Sequence, residues 1–576
     1  MNMSRPGPTR AGLRREWRLD LAAAMLGVAS FLYFCDPAVL SPRRVGWLLG
    51  LEDPAQSFLS WQFFRDTPLL QFPLGLNSRF GTDLGSSIVF SDSLPLLALP
   101  LKLARALLPP VFQYHGAWIL GCLVLQGVTA RRLLARFHDD AAGQLLGAAF
   151  FVLSPSLLWR LNGHFSLLAH WILLGGLALF FSPKFRRAAW LALLSVAVLI
   201  HAYLFVMAAG IWAADLFSRG RAHELRWRRL LLDLGLGFVL TAAWMYVAGY
   251  FVAGDSVTVG GFGYYRMNLL SPVDPTRAWS RLLPALPHAP GEYEGFNFLG
   301  SGLLVAGLVA LVGRLRLPPG PGSTARPTAS LIGMGAVLFV YSLSNHVYAG
   351  QVQVASYAVP PGFEGVVGAF RASGRMFWPV AYLLYLLILV GLLRRFPRRI
   401  AIGLLSALLA LQAVDLSGAA AEIRGRFRPG RSWSSPLQSP FWEAAGGRYD
   451  RILVVPPGND SKGFVPLSYF AALHHMTINS GYYNRFDGLR LRIAARRQRA
   501  QLDQQRIDPR ALYVFRGFEG PWESLLQSRS APDFVGRIDG YAIFAPGFGP
   551  VDPSWQSAQQ PDRPEKPARH HRRRRR

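Results

Sequence analysis

The chain has 576 residues, 51% hydrophobic and 16% charged, with a formal net charge of +28 from 61 Lys plus Arg against 33 Asp plus Glu. Soluble domains carry roughly 25% charged residues, so this composition excludes an ordinary water-soluble protein and calls for a bilayer as second solvent. The basic excess is scattered among loops instead of lying on one folded face, which argues against nucleic-acid binding.

Residues 1–16 read as a basic cytoplasmic amino terminus. Apolar runs near the ~20 residues needed for a crossing begin near Trp17, Val111, Ala142, Phe165, Leu230, Phe298, Ser330, Phe377 and Ile400. The first lacks a small-x-small cleavage site and reads as a signal-anchor. A further stretch, Ala188 to Phe217, fits two short helices meeting near His201. Basic clusters favour the cytoplasmic side of short loops. Keeping six of them inside (RRLLARFH, KFRR and RRFPRR among them) predicts about eleven crossings over residues 17–418, with the element from Ser86 re-entrant or interfacial. The expected class is therefore a mainly α, polytopic helical membrane protein, amino terminus cytoplasmic, with a small α/β extracytoplasmic domain over residues 428–550. Cys35 and Cys122 make neither a metal motif nor an evident disulfide pair.

A large outer loop, residues 36–110, opens with GLEDPAQ. Asp53, Pro54 and Gln56 have the spacing of an N-cap, a first-turn proline and a capping box. The rival reading makes Asp53 or its neighbour Glu52 a general base or metal ligand at the membrane surface. Asp92 of FSDSLP is open to the same two readings. His164, His170 and His201 fall on the same outer side, as helix-end residues or around a divalent cation, although no HxH or HxxxH spacing favours the cation. Arg371 and Arg375 precede a span, as lipid-headgroup anchors or as a phosphate clamp.

From Arg428 the pattern turns α/β. YDRILVVPP reads as a strand, VPLSYFAALHH as a helix, MTINSG as a strand, LRLRIAARRQRAQLDQQ as a basic amphipathic helix, ALYVF as a strand and GRIDGYAIFAP as a terminal strand. NSGYYNRFDG is either a folded turn or an acceptor contact. Residues 551–576, ending in RHHRRRRR, read as a disordered basic tail able to meet anionic lipid.

The acid-opened first loop, FSDSLP, FVLSPSLLWRLNGH, HAYLFVM, GFGYYRMNLLSPVDP with YEGFNFLG, and FRASGRMFWPV together resemble an uncharacterised family of bacterial polytopic membrane proteins placed near the GT-C glycosyltransferases. The resemblance covers roughly residues 20 to 550. It implies a periplasmic-side transferase that passes a sugar from a polyprenyl-phosphate donor to a lipid, polysaccharide or protein acceptor, with Asp53 matching the first-loop catalytic acid and the choice between Glu52 and Asp53 open. On this reading Arg371 and Arg375 meet the phosphate, and Trp61, Phe63 and Tyr265 are sugar platforms. No Walker A, Rossmann or kinase motif is present. The alternative is a lipid or sugar transporter, or a non-enzymatic cell-envelope assembly factor. No internal repeat of the kind transporters show is found.

Overall fold

The computed structural model describes residues 10–253, 261–276, 279–316, 329–428, 433–516 and 532–555. Most of the basic tail lies outside them.

The described part is mainly helical, with a small α/β region at its carboxy-terminal end. Among the described residues four helices are long and apolar enough to cross a bilayer: Arg14–Phe34, His115–Leu134, Trp227–Ala248 and Ser373–Arg395. Two bent pairs, Ala141–Val152 with Pro155–Asn162 and Arg398–Asp415 with Ser417–Phe427, raise the number to six. This corrects the expectation of about eleven crossings. The runs near Phe165, Phe298 and Ser330 fold as the shorter helices Phe165–Phe180, Ser301–Gly313 and Ala329–Leu343. The long stretch breaks at His201 into Arg187–Ile200 and Ala202–Arg221, which pack on each other. An apolar run signals removal from water, which Phe165–Phe180 finds largely in the protein interior, whereas Ser301–Gly313 and Ala329–Leu343 keep large apolar side chains such as Leu308, Ile332 and Val337 exposed.

Arg10–Phe34 lies along His115–Leu134. Buried Arg131 ties the pair together, 2.9 Å from Glu16 and 2.6 Å from Asp20. Between them the first loop is an ordered structure. Its helix Glu52–Arg65 is buried from Pro54 onward. Arg65 closes the loop by donating to the carbonyls of Pro109 and Pro110 at 2.8 and 3.0 Å. The FSDSLP region enters Pro95–Leu103, which packs on Glu52–Arg65 and Arg187–Ile200.

A hairpin, β1 (His346–Ala349) and β2 (Val352–Ser356), follows the helix Ala329–Leu343. The carboxy-terminal sheet comprises β3 (Arg451–Val455), β4 (Thr477–Ile478), β5 (Ala511–Phe515), β6 (Phe534–Ile538) and β7 (Tyr541–Ala545) in the order β4-β3-β5-β7-β6. The first three are parallel and the last two antiparallel. GRIDGYAIFAP, expected as one strand, contains the turn of a hairpin. Asp539 and Gly540 both have positive φ, 46° and 81°, as a two-residue turn between twisted strands requires.

This sheet docks on the first loop. Phe80 bridges Ile478 in parallel register, and the Asn484 N–H donates to the Phe90 carbonyl at 2.9 Å. His475 meets Asp66 at 2.7 Å.

Candidate functional site

Side chains from seven chain segments meet in one polar cluster, the last of them brought by the docked sheet. Its centre is Glu294, in the short turn Glu292–Gly295. One carboxylate oxygen accepts from Arg160 at 2.8 Å and from Arg375 Nε at 2.9 Å, and the other meets Arg375 Nη2 at 2.8 Å. His164 Nε2 lies 3.0 Å from Glu294, and His164 Nδ1 lies 3.6 Å from Asp53. Burial alone would raise the Glu294 pKa, but Arg375, His164 and Arg160 hold it well below the ordinary carboxylate value. A permanently ionised Glu294 thus orients the imidazole, whose opposite edge faces Asp53.

Tight backbone contacts build this geometry. Gly163 has φ 143°, and a Cβ there would stand 3.3 Å from Pro54, pressing on the turn that carries Asp53. At Gly374 a Cβ would fall 2.4 Å from the Gly295 Cα, so bare glycine lets the Arg375 segment approach the Glu294 turn closely.

A second pair lies alongside. Asp92 sits at φ 53°, accepts from Asn484 Nδ2 at 3.1 Å and lies 3.5 Å from His201 Nε2. His201 Nδ1 accepts from the Tyr203 N–H at 3.1 Å, which leaves the ring proton on Nε2, toward Asp92. Burial, then the Arg375 and His164 charges, push the His201 pKa well below its ordinary value. Burial lifts Asp92 to about 6, opposed by His164 and Arg375 and assisted by Asp53.

A raised folded pKa means that native Asp92 binds a proton the unfolded chain releases between pH ~4 and ~6. Its contribution to stability therefore falls as pH rises through that window. Asp92→Asn is expected to remove this component. Across pH 4 to 7 the wild type should lose up to ~3 kcal/mol relative to Asp92→Asn, measured by denaturant unfolding in detergent at each pH.

The structure brings together Asp53, Asp92, His164, His201 and Arg375 from the expected set. Glu52 is exposed, whereas Asp53 contacts His164. The capping reading of Asp53 is corrected. The N-cap is Leu51, and the Ala55 N–H already bonds the Leu51 carbonyl at 3.0 Å, so Asp53 lies inside the first turn. Asp92 is not the N-cap of Pro95–Leu103 either, since Leu94 holds that position; it closes the preceding short turn Ile88–Ser91 as its C-cap.

Arg371 and Arg375 are not a matched pair on one helix. Arg371 precedes the turn Ser373–Phe377 and lies 5.7 Å from the Tyr265 ring, while Arg375 is engaged by Glu294. Trp61 is fully buried with its indole N–H on the Phe112 carbonyl, and Phe63 is buried against Phe80. Neither is a sugar platform. Tyr265 is partly exposed and packs edge-on to Tyr264 and Tyr293.

Among the described residues no group of three or more His, Cys, Asp and Glu has a metal-binding arrangement. His170 has turned away, its Nδ1 2.7 Å from the Tyr382 hydroxyl.

The missed members are Glu294, Arg160, Asn484 and Tyr482. An arginine in the apolar segment LLWRLNGH requires a counter-ion, and the one acid of YEGFNFLG, Glu294, was a candidate. Tyr482, from NSGYYNRFDG, lies within the field of Arg371 and of the acids. Burial raises its pKa, and its hydroxyl feels the charges of Asp53, Glu52, Arg371 and Asp92.

The model of the family described as "Domain of unknown function (DUF6311)" matches residues 24–417, and that of the "DUF6311 C-terminal domain" matches residues 441–546. No curated protein matches the chain. The chain belongs to the DUF6311 family.

Proposed function

We propose that this DUF6311 chain is a membrane glycosyltransferase of GT-C type, which moves a sugar from a polyprenyl-phosphate donor to a hydroxyl of a lipid, polysaccharide or protein acceptor on the periplasmic side. The observation that supports this reading most is the line of Asp53, His164 and Glu294, anchored by two buried arginines. It has the logic of a base whose neighbour is oriented by a third, ionised group.

In the proposed step the acceptor oxygen attacks the anomeric carbon as its proton passes to Asp53. The bond from that carbon to the phosphate oxygen breaks, and its electron pair leaves with the polyprenyl phosphate. His164, positioned by Glu294, holds Asp53 in place and stabilises its charge. Arg371, beside Tyr265, meets the departing phosphate. Arg375, neutralised by Glu294, supplies structure and field and makes no contact with the donor. Tyr265 offers an aromatic face to the sugar.

The test uses purified protein in nanodiscs, a panel of polyprenyl-phosphate sugars and thermal shift. One donor is expected to stabilise the wild type and Asp53→Asn but not Arg371→Ala. If no donor shifts the folded wild type, the transferase reading falls and transport or envelope assembly takes its place.

A further inference from the structure

We propose that the carboxy-terminal domain holds a second ligand site, for a small anionic molecule bearing a phosphate or carboxylate, at the carboxyl ends of β3 and β5. In open α/β sheets ligands bind outside the carboxyl ends of parallel strands. Here that place is a cavity of about 360 Å³, lined by Val454 of β3, Phe515 of β5, Lys462, Ser468 and Arg516 among others. Its volume falls in the range of small-molecule sites, ~300–1,000 Å³.

Three features give the cavity its chemistry. The chain leaves β3 through PPGNDSKG and enters the ten-residue helix Phe464–Leu473 at Gly463, whose φ is 92° and where no side chain caps the helix. Gly463 and Phe464 both line the cavity, so the positive end of the helix dipole borders it. Lys462 and Arg516 add two cations, and Asp460, 3.6 Å from Arg516, is the one carboxylate among the lining residues.

The third feature is the Ser468 hydroxyl. It lines the cavity, is fully buried and has no hydrogen-bond partner among the described residues. Leaving a hydroxyl buried and unpaired is costly, and a ligand oxygen would satisfy it. None of the Asp53 cluster lines this cavity, so the site does not depend on the transferase reading. Phe464 nevertheless stands 5.8 Å from Tyr482, next to the cluster.

The experiment is calorimetric titration of the full-length protein in nanodiscs with glucose 1-phosphate and with glucuronate, the two arms separating a phosphate from a carboxylate ligand. One probe is expected to bind at a single site, with Kd weakened about tenfold or more in both Lys462→Ala and Ser468→Ala. Lys462 is exposed, so its removal leaves the fold intact. Ser468→Ala removes only an unpaired hydroxyl and should leave unliganded stability unchanged or higher. Failure of both probes to bind wild type overturns the proposal. So does binding that is unchanged in both variants, as anions collected by the arginine-rich tail would give.

Discussion

Asp53→Asn is expected to reduce sugar transfer by about 10²-fold to 10⁴-fold, the range typical of a lost general base, with donor binding preserved. The amide keeps the size of the carboxylate and cannot take the acceptor proton. Because Asp53 is partly exposed and does not cap its helix, whose N-cap is Leu51, the substitution should leave thermal stability within about 0.5 kcal/mol of wild type. Glu52→Gln, one position earlier and exposed, is the internal control and should retain near-normal turnover. Single-turnover transfer from a labelled donor checks both. Equal losses in the two variants would show that surface charge matters and the Asp53 to His164 contact does not.

Removing the Glu294 charge is expected to act on the fold itself. Arg160 is fully buried and Arg375 is nearly so, and Glu294→Gln leaves two cations sharing a neutral amide. Breaking a buried ion pair from one side costs on the order of 3–5 kcal/mol because the remaining charge is uncompensated. Two arginines depend on this one acid, so the effect should lie toward the upper end. A second change, Arg160→Met, should restore part of the loss in the double variant, since it removes one of the stranded charges. Denaturant unfolding of wild type, both single variants and the double variant gives the coupling. Additive losses would mean that Arg160 is compensated by groups other than Glu294. His164 also loses its orienting carboxylate in Glu294→Gln, so any protein that folds should transfer sugar more slowly than its stability alone accounts for.

Composition and residue order determined that this chain has helices able to cross a membrane and a mixed α/β segment after them. Apolar runs and their alternation are local properties, and the strands β3, β4 and β5 lie within the stretches YDRILVVPP, MTINSG and ALYVF. The acids, histidines and arginines at helix ends were also legible, because a charge beside an apolar run is conspicuous. Helix number was less so. Apolar runs carry the same composition whether they fold as long or as short helices, and only the folded helix lengths separate them.

Which charges meet was decided by tertiary structure alone. Glu294 lies 134 residues from Arg160 and 81 from Arg375, and Asp92 lies 392 residues from Asn484. No local pattern encodes such pairings. They depend on close approach at Gly163 and Gly374 and on the docking of the carboxy-terminal sheet against Phe80 and Phe90. The same packing buried Trp61 and left Asp53 at the edge of the cluster, partly open to solvent. Composition supplied the charged groups, and long-range packing determined which neutralise one another and which remain available for chemistry.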